Sequence, residues 1–206
     1  MFDIAENNTI PLDDFVRWVT DYMNENYYFL GDHSKRVAEV SLAILDRLGI
    51  NGQDKELMRY AALLHDIGKR AIPKAILLAP RRLSDKEFEI IKDHPIIGFR
   101  KLSHIKSLQN INPIILYHHY RNGFGYPQKC EDCSVPDNIL VDVLTVADSY
   151  SAIREKRIYN NQNVKHSGAV KILKNENDPK NKGVNQEIVD VLGKMRFRKN
   201  TLKFDL

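Results

Sequence analysis

Apolar residues recur at intervals of three and four through most of the chain, the spacing that gathers them on one face of a helix. Leu12, Phe15, Val16, Val19 and Met23 predict a first helix, and Val37, Val40, Ile44, Leu45 and Leu48 a second, stopped by Gly49. Leu57, Ala61 and Leu64 predict a third, closing near Gly68. Ser84 with Glu87 three residues on is a capping-box pattern, opening a helix that carries Phe88, Ile90 and Ile91. Pro95 and Pro113 each suit the first turn of a further helix. The segment from Pro136 to about Ile153 predicts the longest late helix, with Ile139, Val143, Leu144, Val146 and Ala147, and shorter helices start from Ser167 and Asn185. No alternating strand pattern runs beyond a few residues. The expected fold is therefore all-α, a single-domain helical bundle without internal repeats.

The stretch from Arg121 to Pro136 interrupts this pattern with Gly123, Gly125, Pro127 and Pro136. Such a loop is either a surface connection or, lying next to paired histidines, part of a site. Composition narrows the classes. The chain has 206 residues, 28% charged and 43% hydrophobic, which excludes disorder, collagen-like structure and small disulfide-stapled scaffolds. A net charge of +4 is too mild and dispersed to predict DNA or RNA as a partner. No apolar run approaches the roughly 20 residues of a membrane span and no leader pattern opens the chain, so no membrane partner and a cytoplasmic location are expected.

Two cysteines against seven histidines turn attention from sulfur to imidazole. Cys130 and Cys133 form a lone C-x-x-C without the second pair of a structural zinc site, leaving loop thiols or a redox or metal role open. His65-Asp66 follows the apolar run Ala61 to Leu64, and His118-His119 follows Ile114, Ile115 and Leu116. A charge in such a place costs free energy unless it has a partner. Neighbouring helical residues point about 100° apart, so adjacent ligands serve two ions side by side more readily than one. An aspartate can bridge such a pair through its two oxygens while imidazoles close the outer positions. His33, His94 and Asp148 are further candidates, Asp148 because Val146 and Ala147 set a charge inside an apolar helix. Taken singly, each of these is also compatible with an ordinary buried residue.

These residues form an ordered series: His65-Asp66-Ile67-Gly68-Lys69, His94-Pro95 with Gly98, His118-His119, Gly123-Phe124-Gly125-Tyr126-Pro127, Val146-Ala147-Asp148-Ser149-Tyr150 and Arg157-Ile158-Tyr159. Over about residues 30 to 195 the chain resembles the HD superfamily of metal-dependent phosphohydrolases, specifically its HD-GYP branch. The resemblance implies an HD-type helical domain over 30–195, preceded by one helix within 1–29 packed on the core and followed by a tail at 196–206. It implies hydrolysis of a cyclic dinucleotide, foremost cyclic di-GMP to linear pGpG, by a hydroxide shared between two metal ions. Other nucleotides or phosphate esters, or a catalytically weak dinucleotide-binding or docking module, are the alternatives. His33, His65, Asp66 and Asp148 would hold one ion and His94, His118 and His119 the other, with Asp66 bridging. Iron or manganese is expected, with nickel or zinc also compatible. Lys69 and Asp66 would serve the chemistry, and Lys69, Arg157, Tyr126 and Arg121 would contact substrate. A signalling protein could dock on the 120–136 loop.

The chain departs from the family pattern at several places. Phe29 stands where some relatives place a glutamate for a third ion, so two ions are expected. The family's H-H-E-x-x-D-G-x-G-Y-P occurs here one residue shorter, as His118 to Pro127, with Tyr120 for the glutamate and Asn122 for the aspartate. Ser151 stands where a second aspartate usually follows Asp148, and Asn160 where a basic residue follows the R-x-Y element.

Overall fold

Helical spacing of the apolar residues closes into one core. The structure is a computed structural model and describes residues 11–27, 30–121, 123–127, 138–155, 164–175 and 177–196. The helices are α1 (Leu12–Tyr27), α2 (Leu30–Leu48), α3 (Gln53–Leu64), α4 (Lys74–Leu77), α5 (Asp85–Lys92), α6 (His94–Leu102), α7 (Asn112–Tyr117), α8 (Ile139–Arg154), α9 (His166–Leu173) and α10 (Gln186–Gly193). Two 3-10 turns, Ile67–Ala71 and Lys106–Leu108, and a minimal antiparallel hairpin, β1 (Tyr120–Arg121) with β2 (Phe124–Gly125), complete the described elements.

Local signals set most boundaries. Gly49 ends α2 with a left-handed φ of 73°, a conformation that costs glycine little. Ser84 Oγ accepts from the Glu87 amide while the Glu87 carboxylate accepts from the Ser84 amide, a complete capping box on α5. Proline occupies the first turn of both α6 and α7.

Helix α2 packs against α1, α3 and α8, while α6 packs against α7 and the turn at 67–71. The apolar residues of α1 (Val16, Val19, Met23) belong to the same core as Val37, Ile44, Leu45, Leu64, Leu116, Leu144 and Leu192. Helix α8 is buried on nearly every side, from Leu140 and Val141 through Val143 to Asp148. A helix that is apolar all round belongs in the centre of a bundle. Asp148 is thereby carried into the interior.

Three expectations change. Helix α8 begins at Ile139, not Pro136, because the Asn138 side chain caps it by accepting from the Leu140 amide. The third helix stops at Leu64, and Gly68 lies in the separate turn that follows. Part of the glycine-rich loop is a hairpin: Gly123 and Gly125 adopt φ of 86° and 80°, and the Tyr126 amide donates to the His119 carbonyl. Phe29, Asn122, Cys130, Cys133, Pro136, Arg157 and Asn160, with the tail from 197, lie outside the described residues. Among the described residues, no helix is long and apolar enough to cross a membrane.

Candidate metal centre

Helix ends converge on one point at the centre of the bundle. His33 sits in the first turn of α2, His65 and Asp66 just past the end of α3, His94 at the start of α6, His118 and His119 just past α7, and Asp148 in the body of α8. His33, His65, Asp66, His94, His118 and Asp148 are buried, and the His119 side chain is 15% exposed. The remaining described histidines stand apart. His104 is exposed, and His166 bonds the Tyr150 hydroxyl.

Three of the rings are held alike. Nδ1 of His65 donates to the Ala62 carbonyl at 2.8 Å, that of His94 to Ile91 at 2.7 Å, and that of His118 to Ile115 at 2.6 Å. Each carbonyl lies three residues back, at a helix end where carbonyls lack partners within the helix. A carbonyl only accepts, so the proton of each neutral ring is assigned to Nδ1 and Nε2 presents a bare lone pair. Thr145 Oγ1 donates to the His118 carbonyl at 2.8 Å, tying this end of α7 to α8.

The bare nitrogens point at each other and at carboxylate oxygens. His94 Nε2 lies 3.2 Å from His118 Nε2 and 3.2 Å from Asp66 Oδ1, while Asp66 Oδ2 is 3.5 Å from His65 Nε2. Asp148 is placed in the same way, with Oδ1 2.9 Å from His33 Nε2 and Oδ2 3.7 Å from His119 Nδ1. Each aspartate therefore spans two groups of imidazoles. Three overlapping sets bring their ligand atoms within 4.8 Å of one another: His33, His65 and Asp66; His65, His118 and Asp148; His94, His118 and His119.

Electrostatics at His65, Asp66, His118, His119 and Asp148 agree with ligand chemistry, whereas at His33 burial is outweighed by hydrogen bonds to Asp148 and Glu155, which raise its pKa to about 9. Burial and the neighbouring imidazoles hold His118 and His119 well below the ordinary histidine value, and burial holds His65 below it despite the opposing aspartates. Burial alone would raise the two aspartates, but the imidazoles, joined by Lys69 at Asp66, keep both well below the usual carboxylate range. Neutral imidazole and ionised carboxylate are the forms that bind metal. His65 Nε2 and Asp66 Oδ1 are buried with no hydrogen-bond partner among the described residues. Orphaned acceptors facing other acceptors cost free energy that a divalent cation relieves, so this donor set fits metal.

Around the centre, Lys69 Nζ donates to Asp66 Oδ2 at 2.6 Å. The Tyr126 ring packs 4.6 Å from His119 and 6.2 Å from His94, and burial with Asp148 pushes its hydroxyl up, leaving it a donor. Arg121 is half-buried with Nε lacking a hydrogen-bond partner among the described residues, and burial lowers its pKa against the pull of Asp148. One participant escaped the sequence reading: Glu155, just past α8, whose Oε1 lies 2.6 Å from His33 Nδ1. Nothing in the periodicity marks it.

An all-α bundle with a buried histidine and aspartate centre suited to divalent ions is the class that fold and site define. The model of the HD domain family matches residues 17–180, and the chain belongs to that family, in its HD-GYP branch. The chain is 42% identical over 132 residues to a cyclic di-GMP phosphodiesterase of Thermotoga maritima, covering 63% of this chain and 35% of that protein. It is 34% identical over 128 residues to the cyclic di-GMP phosphodiesterase response regulator RpfG of Xanthomonas campestris, covering 61% and 33%. A 3'3'-cGAMP-specific phosphodiesterase of Vibrio cholerae is 30% identical over 132 residues, covering 64% and 28%. The chain thus spans about a third of the length of these relatives. Among solved structures, the HD domain of the Listeria monocytogenes phosphodiesterase PgpH in complex with cyclic-di-AMP shares the fold, with a TM-score of 0.60, 19% identity, and coverage of 85% of this chain and 92% of that one.

Proposed function

We propose that this domain is a metal-dependent phosphodiesterase that opens a cyclic dinucleotide, cyclic di-GMP foremost, to the linear pGpG. The observation that carries the reading is the convergence of five inward-facing imidazoles and two carboxylates, with Lys69 at its edge. The names of the relatives support a cyclic dinucleotide as substrate, and the 42% identity to the Thermotoga maritima cyclic di-GMP phosphodiesterase, against 30% to a 3'3'-cGAMP-specific one, favours cyclic di-GMP.

His33, His65, Asp66 and Asp148 would hold one divalent ion and His94, His118 and His119 the other, with Asp66 shared. Iron or manganese suits this set best, and nickel or zinc is compatible. When bound, two such ions lower the pKa of a water and neutralise charge on the phosphoryl oxygens. Hydrolysis forms one P–O bond to water and breaks one ring P–O bond, whose oxygen leaves with a proton. Lys69 presents a point charge to the reacting phosphate, and the protonated Tyr126 hydroxyl supplies a donor beside His119. Arg121, with a free Nε, is suited to a phosphate oxygen, taking up work that Asn160 cannot do for want of charge. Arg157 is the remaining candidate for the second phosphate.

The test is turnover by anaerobically purified protein supplied with manganese or iron(II), against a chelated sample, on cyclic di-GMP, 3'3'-cGAMP and nucleoside mono- and triphosphates. Metal-dependent release of pGpG is expected, lost in Asp66→Ala. Affinity for a dinucleotide without turnover in any metal would replace this reading with that of a binding module, and preference for the mononucleotides with a general phosphohydrolase.

A further inference from the structure

His33 is held differently from the other ligands. His65, His94 and His118 each lie just past a helix end, and the ring of each bonds the backbone carbonyl three residues back. His33 lies instead in the first turn of α2, where the carbonyls already accept from the helix ladder and the orphan groups are N–H donors. The acceptor comes from α8: Glu155 Oε1 sits 2.6 Å from His33 Nδ1, while Asp148 Oδ1 sits 2.9 Å from Nε2.

The arrangement follows from helical spacing. Asp148 and Glu155 are seven residues apart, two turns along one face, so a single helix end grips both nitrogens of the ring. Arg36, three residues after His33, closes the network by donating Nη2 and Nε to the same Glu155 oxygen at 2.8 and 3.2 Å. That ion pair neutralises the carboxylate and aims it. Between the two acids lies Ser151, whose buried Oγ has no hydrogen-bond partner among the described residues. Ser151 stands where the family resemblance leads one to expect an aspartate, so the missing carboxylate is matched by one a single turn downstream.

We infer that Glu155 is a positioning residue for His33: by accepting from Nδ1 it directs Nε2 towards Asp148 and the metal centre, and Arg36 orients Glu155. This rests on the metal-centre reading above. Carboxylates behind metal-binding histidines fix the tautomer and ring angle, and their loss weakens metal affinity about 10- to 100-fold.

The experiment is a Mn2+ titration of the metal-depleted full chain, reading free Mn2+ by electron paramagnetic resonance, with circular dichroism and melting curves on each sample. Wild type binds two ions. Glu155→Ala keeps its helical signal and one tight ion, while the other weakens about 10- to 100-fold. Glu155→Gln, which preserves volume and an accepting oxygen, loses less and carries the test if the alanine variant does not fold. Arg36→Gln breaks the tie between α2 and α8 and lowers the melting temperature, yet binds both ions more tightly than Glu155→Ala does. Wild-type affinity for both ions in Glu155→Ala overturns the inference, as does an equal weakening of both ions in that variant, which would make Glu155 a packing tie. Failure of the wild type to bind Mn2+ would instead overturn the metal-centre reading itself.

Discussion

His94 Nε2 lies 3.2 Å from His118 Nε2 while the Nδ1 of each ring is engaged by a backbone carbonyl. In the neutral rings both facing nitrogens carry lone pairs, and Asp66 Oδ1 adds a third acceptor 3.2 Å from His94. Such an arrangement repels itself in a buried place unless a cation lies among the acceptors. The fold holds it because the surrounding core is larger than this local cost: Leu64, Ile115, Leu116 and Val146 are all fully buried around it.

On the metal-centre reading, a divalent ion should stabilise the folded chain. An ion that binds only the native state adds about 2.7 kcal/mol at a free concentration 100 times its Kd. Adding Mn2+ to chelator-treated protein raises the melting temperature, and EDTA reverses the rise. A melting temperature indifferent to both reagents would count against the site.

Stability of the metal-free protein has a window in pH. Burial, with neighbouring imidazoles, holds His118 and His119 below their ordinary 6.5, and burial does the same for His65. The unfolded chain takes up protons below 6.5 that the native chain refuses, so stability falls as pH drops through that value, by about 1.4 kcal/mol per unit for each histidine. His33 runs the other way. Burial would lower it, but the hydrogen bonds to Asp148 and Glu155 raise it to about 9. Its contribution is complete below 6.5 and disappears as pH rises through about 9. Melting curves in EDTA across this range should peak between the two limits, and a monotonic rise on the alkaline side would contradict the His33 assignment.

Gly68 couples the fold to the site. A Cβ at this position would collide with the His94 carbonyl oxygen and come within 2.7 Å of the Gly98 amide nitrogen. The turn at 67–71 lies directly against α6, which carries His94. Gly68→Ala therefore forces the two apart and destabilises the protein by about 1–3 kcal/mol. Metal titration of the same variant should show weakened binding of the ion assigned to His94. Unchanged stability would mean that the turn accommodates a methyl group without moving α6.

Much of this was legible in the sequence because each signal was local. Asp148 stood out since Val146 and Ala147 leave a charge no polar company, and Ser84 with Glu87 is a complete cap within four residues. The pairs His65-Asp66 and His118-His119 marked helix ends that face the core. Glu155 was not legible, since it lies beyond the last turn of α8 and acts on a residue 122 positions away. The hairpin at Tyr120–Arg121 and Phe124–Gly125 was missed for another reason: two-residue strands carry no alternation, and their geometry comes from Gly123 and Gly125 at positive φ.

Substitution of Lys69 would separate metal binding from chemistry on the proposed reading. Its ammonium lies 2.6 Å from Asp66 Oδ2 and its side chain is 20% exposed, so it reaches from the buried carboxylate towards solvent. In the metal-free protein it neutralises Asp66. With ions in the centre that role passes to them, and the lysine is left to face whatever anion approaches. Lys69→Ala should then keep both ions, since a competing cation has been removed, while turnover of the cyclic dinucleotide falls by about 100- to 1,000-fold, the usual effect of deleting one charge-stabilising donor. Lys69→Arg should fall between the two, because a planar fork cannot occupy the place of a compact ammonium without tilting. Metal analysis and turnover on the same preparation decide the matter. Loss of an ion with the activity would make Lys69 a support for Asp66, and undiminished activity would remove it from the reaction.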